Sequence, residues 1–360
     1  MSRQFCKFIL KFYTMNNLIY KACFCIFLLA IIFQSCKKDE TKPILETDPV
    51  SFVARTSAVC KGKIIFEGPD SIIDYGFCWS TSGGPTLANK SMASQYLTDS
   101  IHGLNITGLN TNTTYYLRSY LTCTSGISYG NQVSFTTKPA AAHTSFNPDL
   151  TYHDISDIDG NSYKTIQIGT QIWMAENLKT SRLNDGTAIS LITDAEGWRY
   201  LKTPGYCWYE NNESVFKNIY GANYNWYAVN TERLCPTGWH VPNEDDWKLL
   251  KISLGMTPEQ AAMEGFQGTV SSKIKEAGTY NWVEESSEAT NQSGFTALPG
   301  SCRTDDGRFY GEGQGAGWWS ATVSSNPYSW SHWVVCDKPW IHRSSMLGQT
   351  YGLNVRCIKN

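Results

Sequence analysis

Tryptophan divides this 360-residue chain more sharply than any other feature. Of thirteen Trp, only Trp79 precedes residue 150, and twelve follow it. Indole rings carry a large apolar payload and dominate the cores that hold them. The asymmetry therefore separates two globular parts, and the length agrees with two or three domains. Hydrophobic residues make up 41% of the chain, enough for ordinary cores. A net charge of −2 gives no broad electrostatic case for a nucleic-acid partner.

The first segment reads as a targeting signal. Lys7, Lys11 and Lys21 precede an apolar run from Ala22 to Phe33. That run is short of the ~20 residues a membrane span needs, and fits a signal h-region. Phe33-Gln34-Ser35-Cys36 then meets the polar Lys37-Lys38-Asp39-Glu40. This stretch resembles a bacterial lipoprotein lipobox, with Gln34 departing from the commonest form. The resemblance implies that residues 1–35 are a signal peptide and that Cys36 is lipidated. The membrane is then a partner through the lipid anchor, and the protein is exported to the outer membrane or cell surface. An ordinary secretory signal cut nearby is the alternative. Met15 offers a second start that gives a signal of more usual length.

Export changes how cysteines read, because exported chains keep disulfides. Beyond Cys36 there are eight: Cys60, Cys78 and Cys123 before residue 150, and Cys207, Cys235, Cys302, Cys336 and Cys357 after it. No pair has CxxC spacing, which argues against zinc ribbons and thioredoxin-like redox chemistry. Both counts are odd, so each part keeps a free thiol or a bridge crosses between parts.

Residues 36–48 are polar and read as a tether. Residues 49–138 alternate like an all-β domain, with "SAVCKGKIIF" and "IDYGFCWS" as strands. Leu109 precedes a polar turn, Tyr115 to Tyr120 alternate as a strand, and a Gly-containing turn leads to a last strand ending Phe135-Thr136-Thr137. This pattern resembles a fibronectin type III module, in the variant common in Bacteroidetes surface proteins. The resemblance implies a sandwich with Cys60 bridged to Cys78 and Cys123 unpaired; two reduced, buried cysteines are the alternative. Residues 139–150, "PAAAHTSFNPDL", read as a linker.

The remainder, 151–360, opens with a hairpin. An Asp159-Gly160-Asn161 turn leads to "YKTIQI", and Gly169-Thr170 turns back into "QIWMAE". Asp157, Asp159 and Asn161 have a calcium-loop look. An EF-hand register starting at Asp157 puts Ile168 where the bidentate Glu belongs, so these residues are read as a turn. Farther on, Asn243 caps a helix whose first turn holds Glu244, Asp245 and Asp246. Trp247, Leu250 and Leu254 share one face, and Gly255 stops it. Thr257-Pro258-Glu259-Gln260 starts a second short helix with a capping box. The acidic trio thus has a structural explanation and is not read as an acid–base pair.

"DIDGNSYKTIQIGTQIWMAENLKT", "YNWYAVN", "LCPTGWHVPNEDDW", "GFTALPG", "GWWSAT" and "YGLNVRCIK" occur in order along 151–360. They resemble the Fibrobacter succinogenes major paralogous domain. The resemblance implies an α+β fold of the C-type-lectin-like superfold shared with formylglycine-generating enzymes. It also implies a Cys235–Cys357 disulfide that fastens the C-terminus. Cys302 and Cys336 are the second candidate bridge, which leaves Cys207 over.

No HExxH, GxSxG, GxGxxG or P-loop is present. The histidines of this part, His153, His240, His332 and His342, lack mutual metal-ligand spacing, and His240 is read as packed. No catalytic residue, metal or cofactor is assigned. The triplets of calcium-dependent sugar-binding lectins are absent. The Gly-rich, aromatic stretch 303–346 supplies the ligand-binding candidates: Asp305, Asp306, Arg308, Tyr310, Trp330, Trp340 and Arg343. Exposed aromatic faces beside carboxylates and Arg suit sugar rings or peptides. The favoured function is a lipid-anchored, noncatalytic binding or adhesion head for glycans or extracellular matrix, held out by the fibronectin-like spacer. An enzyme of the formylglycine-generating superfold and a purely structural surface component are the alternatives.

Overall fold

A computed structural model describes residues 42–94, 101–140, 144–283 and 289–360. The signal segment, Cys36 and the start of the tether lie outside the described residues.

Eight strands build the N-terminal sandwich: β1 (Ile44–Thr47), β2 (Ala58–Phe66), β3 (Ile72–Ser80), β4 (Lys90–Ala93), β5 (Ile101–Ile106), β6 (Thr114–Cys123), β7 (Gly126–Tyr129) and β8 (Val133–Thr136). One sheet runs β1-β2-β5; the other runs β4-β3-β6-β7, with β8 also on β6. Alternation puts one side of each strand into the core. Ala58, Cys60, Phe77, Trp79, Ile106 and Leu117 meet there. The corner expected from sequence is built: Leu109 is buried, and the Asn110 N–H donates to the Tyr115 hydroxyl at 2.9 Å. Two sequence expectations need correction. Strand pairing begins at Ile44, inside the 36–48 tether, because Leu45 supplies core. Cys60 and Cys78 are free thiols, not a bridge. Cys60 points into the sandwich, whereas Cys78 stands between the core residues Phe77 and Trp79 and so faces the other side of its sheet.

The C-terminal domain is mostly β with short helices. A five-stranded sheet has the order β15-β22-β11-β10-β9, from β9 (His153–Ser156), β10 (Ser162–Ile168), β11 (Gln171–Met174), β15 (Trp239–His240) and β22 (Ile358–Lys359). Three short strands, β12 (Ser190–Leu191), β13 (Gly205–Cys207) and β14 (Asn223–Tyr224), make a second sheet. A third has the order β16-β21-β20-β19: β16 (Gly265–Gln267), β19 (Gly315–Ser325), β20 (Tyr328–Val335) and β21 (Ile341–Gly348). β17 (Cys302–Arg303) and β18 (Phe309–Tyr310) form a small hairpin. The linker's second half, 144–150, is not loose chain: Phe146 and Leu150 pack against this domain's core, and the Asn147 amide donates to the Asn291 carbonyl at 3.1 Å.

The helix Glu244–Ser253 has the expected cap. Asn243 Oδ1 accepts from the Asp245 and Asp246 N–H groups, and Asp246 returns a bond to the Asn243 N–H. Trp247, Leu250 and Leu254 are buried against Trp173, Phe295 and Trp318. The second helix, Pro258–Ala262, carries the Thr257–Gln260 box. His240 departs from its packed reading. It is partly exposed, with Nδ1 2.7 Å from Asn360 Oδ1 and Nε2 3.1 Å from Asp246 Oδ2. Cys235, just upstream, is bridged to Cys357. The "RLCPTGWHVPNEDDW" stretch is therefore a structural corner that holds the chain's end against the helix cap.

Candidate functional site

The two domains are docked through buried polar groups. Glu312 lies between Gly311 and Gly313, which both take positive φ, at 88° and 74°. A side chain on residue 313 would meet Val283 Cγ1 at 2.4 Å, so glycine is required there. This turn drives the Glu312 carboxylate into the sandwich loop before β2. It accepts from the backbone N–H groups of Arg55 and Thr56 at 3.0 Å each, and from the Thr56 and Ser57 hydroxyls at 2.8 and 3.2 Å. Arg55 reaches the other way: its guanidinium donates to the Tyr220 hydroxyl at 2.8 Å and to Asn281 Oδ1 at 2.6 Å. Both Arg55 and Glu312 are fully buried. Lys138, at the sandwich's exit, donates to the Thr279 and Trp282 carbonyls.

Beside this latch the domains leave a cleft of about 570 Å³. Met92, Leu104, Asn105 and Thr107 line it from the sandwich; Glu210, Thr304, Arg308, Phe309 and Tyr310 line it from the C-terminal domain. Such a volume at a domain boundary is typical of ligand sites. Tyr310 is 58% exposed, and it also lines a smaller cavity of about 240 Å³ with Phe52, Cys302, Trp333 and Cys336. Arg308 lies against Asp306, with Nε 2.7 Å and Nη2 2.6 Å from Oδ2. The Arg308 hydrogen bond holds the Asp306 carboxyl down to about 2. Glu210 behaves oppositely. Burial, then the like charge of Glu312, push its carboxyl up to about 7. Its backbone sits in the left-handed region, with φ 52° there and 53° at Asn211, a costly conformation for residues with a Cβ.

The seven sequence candidates thus divide. Asp306, Arg308 and Tyr310 come together on the β17–β18 hairpin, with Asp305 exposed at its turn. Trp330 and Arg343 belong elsewhere. The Arg343 guanidinium carbon lies 3.6 Å from the Trp330 ring centre, and Nε donates to Glu244 Oε2 at 2.5 Å. Glu244 Oε1 also contacts His332 Nε2 at 2.9 Å. This network pins the helix start to the β20–β21 sheet and places the pair away from the hairpin. Trp340 is a third place, its ring 4.2 Å from that of Phe266 and flanked by His342. Cys302 is a free thiol, so the Cys302–Cys336 bridge is a further correction; the two line the smaller cavity instead of closing it. Sequence reasoning missed Glu210 and Glu312. The Gly-Glu-Gly triplet was the one available signal for Glu312; Glu210, in "YENN", had none. Asp157 proves a turn residue, accepting from the Asp159 and Asn161 N–H groups at 2.9 Å each. Among the described residues, no group of three or more His, Cys, Asp or Glu could hold a metal ion.

The Fibrobacter succinogenes major domain matches residues 166–359, more than half of the chain. The chain belongs to that family. The matched stretch begins within β10. No curated protein matches. Among solved structures, the sensor domain of the anti-sigma factor RsgI4 of Pseudobacteroides cellulosolvens is 16% identical, covering 27% of this chain and 95% of its own, with a TM-score of 0.22. A fibronectin type III domain of human fibronectin type III domain containing protein 3 is 15% identical, covering 30% of this chain and 96% of its own, also at 0.22.

Proposed function

We propose that this is a lipid-anchored cell-envelope binding protein, and that the cleft between its two domains holds the ligand, a glycan or an extracellular matrix protein. The observation that carries the reading is the cleft itself. It is walled by both domains, with an exposed tyrosine and an unusually basic carboxyl facing the same space. The apolar run ending at Cys36 supports the anchor and the outer-membrane or cell-surface location. The pairing of β11 near the domain's start with β22 at its end, Trp173 opposite Ile358, supports the lectin-like superfold. An oxidase of that superfold would need a reactive thiolate. Burial instead pushes the Cys207 and Cys302 thiols up to about 12, which favours the noncatalytic reading.

The test is binding of the detergent-solubilised full chain to a glycan panel and to matrix proteins. A hit lost in Tyr310→Ala, with the fold intact, supports the cleft. A hit that Tyr310→Ala leaves unchanged, while Trp340→Ala removes it, moves the site to the Phe266–Trp340 ledge.

A further inference from the structure

Glu210 is the feature of the cleft that packing does not explain. Among the described residues its carboxyl has no hydrogen-bond or ion-pair partner, although neighbouring carboxylates are matched: Asp306 by Arg308, and Glu312 by the Arg55–Ser57 loop. The turn that presents it holds two successive left-handed residues, Glu210 and Asn211. Strain of that kind persists where the surroundings enforce it, and it clusters at functional sites. The groups facing Glu210 are the like charge of Glu312, the buried Tyr209 hydroxyl on its own turn, and Arg308 on the β17–β18 hairpin, already paired with Asp306. The sandwich wall, Met92, Leu104, Asn105 and Thr107, adds no charge. The cleft therefore sets apolar surface from Met92, Leu104, Phe309 and Tyr310 beside the neutral polar Asn105, Thr107 and Thr304, and holds one unmatched carboxylate.

Resting on the reading of this cleft as the ligand site, we propose that it receives a primary ammonium group, the end of a lysine side chain on an extracellular protein, with Glu210 as counter-ion. A lysine fits both features of the cleft. Its four-carbon stem packs against Met92, Leu104 and Phe309 while its compact charge meets the carboxylate. The cation also relieves the repulsion from Glu312, which a neutral hydroxyl would leave in place.

The probe is acetyl-Gly-Lys-Gly-amide, titrated calorimetrically into the detergent-solubilised full chain, beside its Nε-acetyl form. The lysine stays charged from pH 6 to 8, while a carboxyl near 7 goes from mostly protonated to mostly ionised. Affinity should rise about tenfold over that range. The acetylated peptide should not bind. Glu210→Gln should lose both binding and pH dependence. Glu210→Gly, which suits the left-handed backbone, should lose them too and guards against a folding artefact. A neutral oligosaccharide that binds through Tyr310 and ignores Glu210→Gln and pH would overturn the lysine proposal and leave the cleft reading standing. If Tyr310→Ala changes no binding from the glycan and matrix panels and the peptide does not bind, both fall.

Discussion

Replacing Glu312 by alanine removes the carboxylate that joins the two domains. Four donors lose their acceptor: two backbone N–H groups and two hydroxyls of the Arg55–Ser57 loop. The hydroxyls can rotate toward other acceptors. The Arg55 and Thr56 N–H groups cannot, and a buried unsatisfied donor costs roughly 1–3 kcal/mol. If the interface stayed closed, the two N–H groups together would lose about 2–6 kcal/mol, which brackets the roughly 3–5 kcal/mol typical of removing one partner of a buried charged set. The chain has a cheaper route, which is to open the interface and hydrate both groups. The loss then stops at the docking free energy, and the domains uncouple. Calorimetry of the wild type should show one main transition, because Arg55 and Glu312 tie both cores together. Glu312→Ala should split it; for a loss near ~3 kcal/mol the lower transition falls by roughly 12–24 °C if the sandwich melts first and by roughly 6–12 °C if the larger C-terminal domain does. Trp79, the one Trp of the sandwich, reports that domain's unfolding separately once other Trp signals are subtracted. Glu312→Gln, which keeps an acceptor in the same space, should fall between. A single transition with unchanged midpoint in Glu312→Ala would refute the latch.

Three further outcomes follow from the same geometry. Replacing Cys235 and Cys357 together with serine opens a loop of 122 residues, and the chain-entropy relation puts the loss at about 4–5 kcal/mol; an unchanged urea midpoint would count against a stabilising role. His332 is fully buried, and burial lowers it from 6.5 to about 4. Its unfolded form therefore takes up a proton first as pH falls, so stability present above pH 6.5 should decline by about 3 kcal/mol toward pH 4. Denaturant midpoints that stay level across that window would disprove this. Arg356→Met should cost several kcal/mol, because the buried guanidinium bonds Asn177 Oδ1 at 2.7 Å and the Thr296 carbonyl at 2.8 Å; a thermal melt within a degree or two of wild type would show those bonds to be dispensable.

What could be read from the chain beforehand was local. The Asn243 and Thr257 boxes, the Trp247–Leu250–Leu254 face, the Asp157 turn and the Leu109–Tyr115 corner each depend on spacings within one element or one turn. Signals fixed by distant contacts were not legible. Trp330 and Arg343 read as members of one candidate ligand surface with the hairpin residues, yet Glu244, 99 residues upstream of Arg343, bonds its guanidinium elsewhere. The Cys60–Cys78 expectation failed on strand parity: one residue of offset sends a side chain to the opposite face. Glu210 was invisible because its environment comes from a backbone twist and from Glu312, neither of which leaves a pattern in neighbouring residues.

The latch also changes what the sandwich is for. A spacer needs only length, and a flexible junction would serve it. Here the junction buries Arg55 and Glu312, and the linker's second half packs onto the C-terminal core. Such burial is expensive unless the partners are held in one geometry. The docked geometry places Leu104, Asn105 and Thr107 opposite the β17–β18 hairpin, with the loop before β2 bound to Glu312. On the proposed reading of the cleft, the sandwich is half of the site and not a stalk beneath it. A ligand that touches both walls adds its binding energy to the docking of the domains. A bound peptide should then raise the lower transition of Glu312→Ala more than it raises the wild-type transition, because only in the variant does closure remain to be gained.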